Sequence, residues 1–278
     1  MTRGGSIGVF DSGLGGLTAV RQIIRLAPGE DIIYFGDTAR VPYGNRSAEV
    51  IIRYARQAIA FLLTKRVKFL IDACGTMSSA LDDNFTSALP VPYIGVIDAA
   101  AKAALAASRN KRIGVIATAA TINSSAFQNA LKKEEPEARI FSVSCPLFVP
   151  LVENGYIERD NTVTRLVAEE YLADMRENDI DTLILGCTHY PLIAELISGV
   201  MGRGVTLIDS GFEAAKAALE LMPEGGAREG GRLEVFTSDC PLGFAAIAAA
   251  FLGQRLENTA RVDIEEVPAY ILPKRKGE

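Results

Sequence analysis

The chain has 278 residues, 49% hydrophobic and 23% charged, a composition typical of a globular protein and not of a disordered one. A net charge of −5 gives no reason to expect nucleic-acid binding, and no apolar run approaches the roughly 18 to 20 residues of a membrane span. Four widely spaced cysteines without a Cys-x-x-Cys pair exclude a zinc site or disulfide framework of the usual spacing. We expect a cytoplasmic protein with reduced thiols, long enough for two domains, with no secretory signal before Ile7.

The first part of the chain alternates strand-like and helix-like segments. This alternation predicts an α/β fold with a mostly parallel sheet flanked by helices. Ser47 is the expected N-cap of the second helix. The expected strands are 6–10, 31–35, a segment from 67 ending at Cys74, and 93–97; the expected helices are 18–26, 47–65 and about 78–89.

The pattern starts again after an alanine-rich helix expected at 99–107. Ile113-Gly-Val repeats Ile7-Gly-Val, and the strand that leads into Cys187 repeats the one that leads into Cys74. We interpret this as a faint internal duplication, with two similar domains facing each other across a central cleft and each contributing one cysteine. The predicted domains are 1–97 plus 208–278, and 98–207. The later expected elements are strands 113–116, 140–143, 182–185, 205–209, 233–237 and 261–267, and helices 126–133, 162–177, one ending at 221, and 244–251.

Cys187 stands where an apolar strand gives way to a turn, two residues before His189, the only histidine in the chain. Pro191 suits the first turn of a following helix. Ligands bind at this carboxyl edge of a parallel sheet, and a helix N-terminus there would favour the thiolate. One such cysteine is more often a core residue, but Cys74 occupies the same position after its own strand, which favours a functional pair. Cys145 and Cys240 are interpreted as packing residues.

Two thiols across a cleft can invert a carbon centre without a cofactor or metal. One enters as thiolate and takes the α-proton from one face, and the other, as thiol, returns a proton to the opposite face. His189 is a candidate to assist Cys187, and Asp11 to assist Cys74. The glycine-rich turn after Asp11 is a weak anion-binding signal, and the carboxylate there favours polar catalysis over phosphate binding.

Four motifs stand out along the chain, beginning at Val9 (VFDSGLGG), Tyr34 (YFGDTARVPYG), Cys145 (CPLFVPLVE) and Gly186 (GCTHYP). Together they resemble the glutamate racemases of the aspartate/glutamate racemase family, over a stretch from Ile7 to about Gly211. The resemblance implies a cofactor-independent isomerase that interconverts L- and D-glutamate for peptidoglycan, with glutamate as small-molecule partner and a homodimeric assembly.

The resemblance also implies roles for individual residues. Cys74 would act on the D-enantiomer and Cys187 on the L-enantiomer, with Asp11 and His189 assisting them. Substrate contacts are expected from Ser12, Thr188, Thr76 and the backbone of Pro42, Tyr43 and Gly44, while Asp37 and Glu153 match acidic positions of the family.

Gly75 departs from the family pattern, which has Cys-Asn-Thr where this chain has Cys74-Gly75-Thr76. A lost hydrogen bond to a carboxylate costs about 1.5 to 3 kcal/mol. We therefore expect weaker affinity or altered specificity with the acid–base chemistry intact, to be tested with Gly75→Asn. Two alternatives stay open: a relative that acts on aspartate, hydantoins or another acid, and a catalytically silent binding module.

Overall fold

The computed structural model describes residues 5–222, 230–240, 244–256, 259–267 and 272. Its strands are short, and four of them are largely apolar runs buried along their whole length, as expected for parallel sheets covered by helices. In chain order the strands are β1 (Ile7–Asp11), β2 (Ile32–Gly36), β3 (Phe69–Asp72), β4 (Tyr93–Gly95), β5 (Arg112–Ala117), β6 (Arg139–Ser144), β7 (Thr182–Leu185), β8 (Thr206–Asp209), β9 (Leu233–Thr237) and β10 (Thr259–Arg261).

The strands of the described residues form two parallel sheets. The first has the order β10-β9-β2-β1-β3-β4 and the second β6-β5-β7-β8. The register places Phe10 beside Asp72 and Ile116 beside Leu185, so neighbouring strands end together at one edge of each sheet. The predicted α/β fold with two sheets is confirmed.

Helices cover the sheets and also join them. The helix α12 (Ser210–Leu221) packs on both α1 (Leu17–Leu26) and α5 (Val96–Ala107), and α5 packs in turn on α7 (Ala126–Glu134) and β7, so one apolar core runs between the two halves. The helices are α1 (Leu17–Leu26), α2 (Ala48–Thr64), α3 (Gly75–Ser78), α4 (Asp83–Ser87), α5 (Val96–Ala107), α6 (Ala119–Asn123), α7 (Ala126–Glu134), α8 (Phe148–Glu153), α9 (Thr162–Tyr171), α10 (Ala173–Glu177), α11 (Ala194–Met201), α12 (Ser210–Leu221) and α13 (Phe244–Leu252).

Some expected elements are divided differently in the structure. Of the helix predicted at 78–89, only α4 (Asp83–Ser87) is helical beyond Ser78, where α3 ends. Asp82 leaves the helical conformation and caps α4 by accepting a hydrogen bond from the Phe85 N–H. The helix predicted at 162–177 is likewise interrupted, at Leu172. Ser47 occupies the N-cap position of α2, but its side chain makes no capping hydrogen bond.

The ends of two expected strands also move. The strand predicted at 93–97 stops at Gly95, since Val96 already begins α5. The strand predicted at 261–267 is wrong over most of its length: β10 ends at Arg261, and a 3-10 helix follows at Ile264–Glu266. The Asp263 side chain caps that helix, which removes these residues from the sheet.

The domain boundary predicted between residues 207 and 208 falls inside β8. All four residues of this strand pair with β7, so β8 belongs as a whole to the second sheet, while β9 and β10 join the first. A boundary after Asp209 keeps each strand in one sheet. The last six residues of the predicted first domain, 273–278, lie outside the described residues.

Candidate active site

A cavity of about 370 Å³ opens where the carboxyl ends of strands from both sheets meet. Such an edge collects polar groups from several strands, which is why ligands bind there. Eleven of the residues expected from the sequence line it: Ser12, Pro42, Tyr43, Gly44, Cys74, Gly75, Thr76, Glu153, Cys187, Thr188 and His189. The other two, Asp11 and Asp37, are buried.

Cys74 follows β3 and is the residue from which α3 begins. Its backbone N–H donates to the Asp72 carboxylate (3.0 Å), and its thiol donates to the Ser12 hydroxyl (3.4 Å). Burial raises the pKa of the Cys74 thiol, and the negative charges of Asp11 and Asp72 raise it further. Cys74 is therefore a protonated thiol at neutral pH, although its place before a helix alone favours the thiolate.

Cys187 follows Gly186 at the end of β7, and its Sγ lies 3.9 Å from His189 Nδ1. His189 Nε2 lies 2.9 Å from Glu153 Oε1. Burial alone would lower the pKa of His189, but the hydrogen bonds to Cys187 and Glu153 and their charges outweigh burial and raise it to about 10. An imidazolium thus faces the Cys187 sulfur at neutral pH, as a thiolate base requires.

The segment after His189 is helical from Tyr190, as Pro191 predicts, but its first turn is a 3-10 helix and α11 begins only at Ala194. The imidazole ring also packs edge-on against Phe251 of α13, with ring centroids 5.0 Å apart. His189 is therefore held between a carboxylate and an aromatic ring, which leaves Nδ1 pointing toward Cys187.

Asp11 ends β1 beneath the glycine-rich turn. One carboxylate oxygen accepts the Gly13 N–H (2.8 Å) and the other the Thr188 hydroxyl (3.4 Å). Burial raises the pKa of Asp11, and the charge of His189 partly offsets this effect. The turn has no space for a side chain at Gly15, because a Cβ there would come within 2.1 Å of Thr188 Oγ1 and 2.7 Å of His189 Nδ1. The turn thus lets the Cys187 segment approach Asp11.

Asp37 is buried behind the residues that line the cavity. Its carboxylate accepts hydrogen bonds from the Tyr43 hydroxyl, from Ser238 (2.7 Å) and from Arg40 (2.7 Å). Tyr43 is buried and is one of the residues that line the cavity. Gly44 ties this loop to the other half of the molecule, since its carbonyl accepts the Ala120 N–H (3.0 Å).

Two threonines of the site were missed at the level of sequence. The Thr118 hydroxyl lies 2.9 Å from that of Thr76 and 3.0 Å from that of Thr121, and so joins the two halves of the cleft. The internal repeat contains the signal, because aligning Ile113 with Ile7 places Thr118 opposite Ser12. Thr121 lies one helical turn further on and has no such signal.

Cys145, interpreted as a packing residue, is fully buried but also lines the cavity. Its thiol donates to the Val143 carbonyl oxygen at 3.8 Å. Burial raises its pKa, and the charge of Cys187 raises it further. A third thiol is therefore present in the site, held in the protonated form.

Gly75 leaves no space for the asparagine of the family pattern in this arrangement. A Cβ at this position would lie 2.2 Å from the carbonyl oxygen of Gly186, far inside van der Waals contact. The Gly75→Asn variant would therefore do more than restore a hydrogen bond to the substrate. Its side chain would first have to separate the backbone at position 75 from the backbone at Gly186.

Within the described residues, no group of three or more histidine, cysteine, aspartate or glutamate side chains could hold a metal ion. No helix among the same residues is long and apolar enough to cross a membrane.

The fold and the site define a two-sheet α/β protein whose cleft brings together two thiols, one from each sheet, with separate polar partners. The chain belongs to the aspartate/glutamate/hydantoin racemase family, whose model matches residues 7–218. The resemblance noted in the sequence is thus confirmed.

Individual relatives match over nearly their whole length. The chain is 44% identical to a glutamate racemase of Geobacter metallireducens over 264 residues, 94% of this chain and 97% of the relative. It is 47% identical to one of Syntrophus aciditrophicus over 262 residues, 93% and 96% of the two chains. The crystal structure of a Francisella tularensis glutamate racemase in complex with D-glutamate superposes with a TM-score of 0.87 at 37% identity, covering 95% of this chain and 99% of that one.

Proposed function

We propose that the protein is a glutamate racemase that interconverts L- and D-glutamate by proton transfer between two thiols. The observation that carries this proposal is the placement of Cys74 and Cys187 in one cavity with unlike surroundings. An imidazolium stands beside Cys187, whereas carboxylates surround Cys74. One thiol of the cavity thus has a cation beside it, which favours its action as a base, and the other is held as an acid.

Each step follows from these surroundings. With L-glutamate bound, the Cys187 thiolate removes the α-proton: the Cα–H bond breaks, an S–H bond forms, and the electron pair remains on the α-carbon, delocalised into the carboxylate. The Cys74 thiol then gives its proton to the opposite face. Cys74 is left as thiolate and Cys187 as thiol, and D-glutamate reacts by the reverse sequence.

The other groups of the cavity hold the substrate in this mechanism. Hydroxyls of Ser12, Thr76 and Thr188 line the cavity and can bind the amine and α-carboxylate. The backbone of Pro42, Tyr43 and Gly44 faces the remaining volume, where a side-chain carboxylate would be received. Asp37 supports this loop through Tyr43 and does not touch substrate.

The experiment is polarimetry with L- and D-glutamate, and separately with L-aspartate, without added pyridoxal phosphate, metal or nucleotide. We expect loss of optical rotation with both glutamate enantiomers, and no racemisation by Cys74→Ala or Cys187→Ala. In deuterium oxide, α-proton exchange should be lost from D-glutamate in Cys74→Ala and from L-glutamate in Cys187→Ala. Cys240→Ala, which removes an exposed thiol, is the matched control and should stay active. Turnover of aspartate alone would reassign the substrate, and no turnover of any acid would indicate a binding module.

The wider setting belongs to the same proposal. The D-glutamate formed would enter peptidoglycan synthesis in the cytoplasm, and the protein would act as a homodimer. Exposed apolar side chains at Leu147, which precedes α8, and at Val163 and Leu166 of α9, 48 to 60% exposed, support a contact between subunits. Light scattering of the wild type and of Leu166→Glu tests the dimer.

A further inference from the structure

Arg40 connects the loop that lines the cavity to the C-terminal part of the chain. Its Nε donates a hydrogen bond to Asp37 Oδ2 at 2.7 Å, and its Nη2 lies 2.7 Å from the same oxygen. Its Nη1 donates to Glu265 Oε1 at 2.8 Å and to Gln57 Oε1 at 2.6 Å. Glu265 belongs to the 3-10 helix Ile264–Glu266, outside the stretch that the family model matches. One guanidinium therefore joins this loop to a segment 225 residues further along the chain.

The guanidinium is held in this orientation by several neighbours. It lies over the Tyr54 ring of α2, 3.9 Å from the ring centre. The Gln57 amide, also from α2, donates to Glu265 Oε2 at 3.0 Å, so the two acceptors of Nη1 also bind each other. A lysine ammonium is a compact charge and cannot reach the carboxylates on both sides at once. The position therefore uses the fork shape of arginine as well as its charge.

Arg40 binds the carboxylate that anchors Tyr43. Asp37 is fully buried, and its other partners are the hydroxyls of Tyr43 and Ser238. The Tyr43 ring also packs on the Tyr54 ring, with centroids 5.3 Å apart, so one ring of α2 contacts both the guanidinium and the anchored tyrosine. A buried carboxylate that loses its cation is strongly destabilised. Loss of Arg40 is therefore expected to displace Asp37 and, with it, Tyr43.

We propose that Arg40 is a positioning residue of the substrate loop, residues 37–44, and that Glu265 of the C-terminal segment holds Arg40 in the orientation this role requires. The inference rests on the proposed function, in which the backbone at 42–44 receives the side-chain carboxylate of glutamate. The described residues that line the cavity include Val41 but not Arg40, so its effect reaches the substrate only through the loop. Loss of Arg40 weakens substrate binding and leaves proton transfer between the thiols largely intact.

The test is the steady-state kinetics of Arg40→Ala, Arg40→Lys and Glu265→Ala with both glutamate enantiomers. We expect KM to rise about 10-fold in Arg40→Ala, with kcat within about twofold of wild type, and Arg40→Lys to recover only part of this loss. In Glu265→Ala KM should rise by up to about fivefold, because this ion pair is partly exposed. The two enantiomers have equal free energies, so kcat/KM must fall equally in both directions.

Glu266→Ala is the matched control. Glu266 is the next residue of the same 3-10 helix, is exposed, and makes no side-chain hydrogen bond or ion pair within the described part of the chain. Its kinetic constants should match the wild type. Hydrogen–deuterium exchange of the amides at 37–44 should be faster in Glu265→Ala and unchanged in Glu266→Ala. In the double variant Arg40→Ala/Glu265→Ala, KM should equal that of Arg40→Ala, because Glu265 acts through Arg40.

Several results would overturn the proposal. A KM of Arg40→Ala within about twofold of wild type, a loss confined to kcat, additive effects in the double variant, or unchanged loop exchange in Glu265→Ala each contradicts it. If Arg40→Ala does not fold, Glu265→Ala decides, because the Glu265 side chain is 67% exposed and its removal leaves the fold intact. A wild type that does not racemise glutamate, while loop exchange still responds to Glu265→Ala, would refute the proposed function alone.

Discussion

Nε2 of His189 lies 2.9 Å from Oε1 of Glu153, while Nδ1 of the same ring faces the sulfur of Cys187 at 3.9 Å. One imidazole thus connects a half-exposed carboxylate at the mouth of the cleft to a buried thiol. The carboxylate is close enough to stabilise the imidazolium, which in turn stabilises an anionic sulfur. This chain of contacts makes the charge of His189 dependent on Glu153.

Glu153→Gln should move the alkaline limb of the pH profile to lower pH. The folded pKa of His189, about 10, lies above the ordinary value of 6.5, so its proton stabilises the fold fully below about pH 6.5 and this contribution is lost as pH rises through 10. Removing the Glu153 charge lowers that pKa, and we expect the alkaline limb of kcat/KM for L-glutamate to shift by about 1 pH unit, less at high salt. Glu158→Gln, at an exposed position without such a contact among the described residues, is the control; an unshifted limb in Glu153→Gln would contradict the coupling.

Asp72→Ala should destabilise the protein although Asp72 does not line the cavity. Its fully buried carboxylate accepts hydrogen bonds from the Cys74 N–H and the Tyr93 hydroxyl, both at 3.0 Å. Alanine leaves both donors unsatisfied, and we expect the free energy of unfolding to fall by about 2 to 4 kcal/mol. Asp72→Asn keeps an acceptor and should lose less, while Asp83→Ala, at an exposed site, should be within about 0.5 kcal/mol of wild type in urea titrations. Equal stability of Asp72→Ala and Asp83→Ala would refute this account.

The sequence predicts most of the fold because strands such as 182–185 and 233–237 are short segments rich in apolar and β-branched residues. It also predicts that Cys74 and Cys187 form a functional pair, because each of them follows an apolar strand. It misses Asp72, since a carboxylate inside an apolar strand shows its partner Tyr93 only once β3 and β4 are paired. It also misses the contact of Gly75 with Gly186, because an approach across the cleft depends on how the two halves pack and not on either segment alone.

Thr76→Val should weaken substrate binding more than turnover. The Thr76 hydroxyl lines the cavity and exchanges a hydrogen bond with Thr118 across the cleft at 2.9 Å. A hydroxyl bound to a carboxylate contributes about 1.5 to 3 kcal/mol, so KM for both glutamate enantiomers should rise by about 10-fold or more, with kcat changed less. Thr206→Val, an exposed isosteric exchange in β8, should leave both constants unchanged. A Thr76→Val variant with wild-type KM would remove this residue from the substrate site.

Cys145→Ala should retain racemisation, although it removes a thiol that lines the same cavity as Cys187. Burial and the neighbouring Cys187 raise the pKa of Cys145, and its thiol is directed to the Val143 carbonyl, so it has neither the charge state nor a positive partner that a base requires. We expect kcat within about fivefold of wild type, α-proton exchange from both enantiomers, and a stability loss of about 1 kcal/mol from the small cavity. The measurement is exchange in deuterium oxide followed by proton NMR, with Cys187→Ala in parallel. Loss of exchange as complete as in Cys187→Ala would make Cys145 part of the proton transfer, and the site would then use three thiols instead of two.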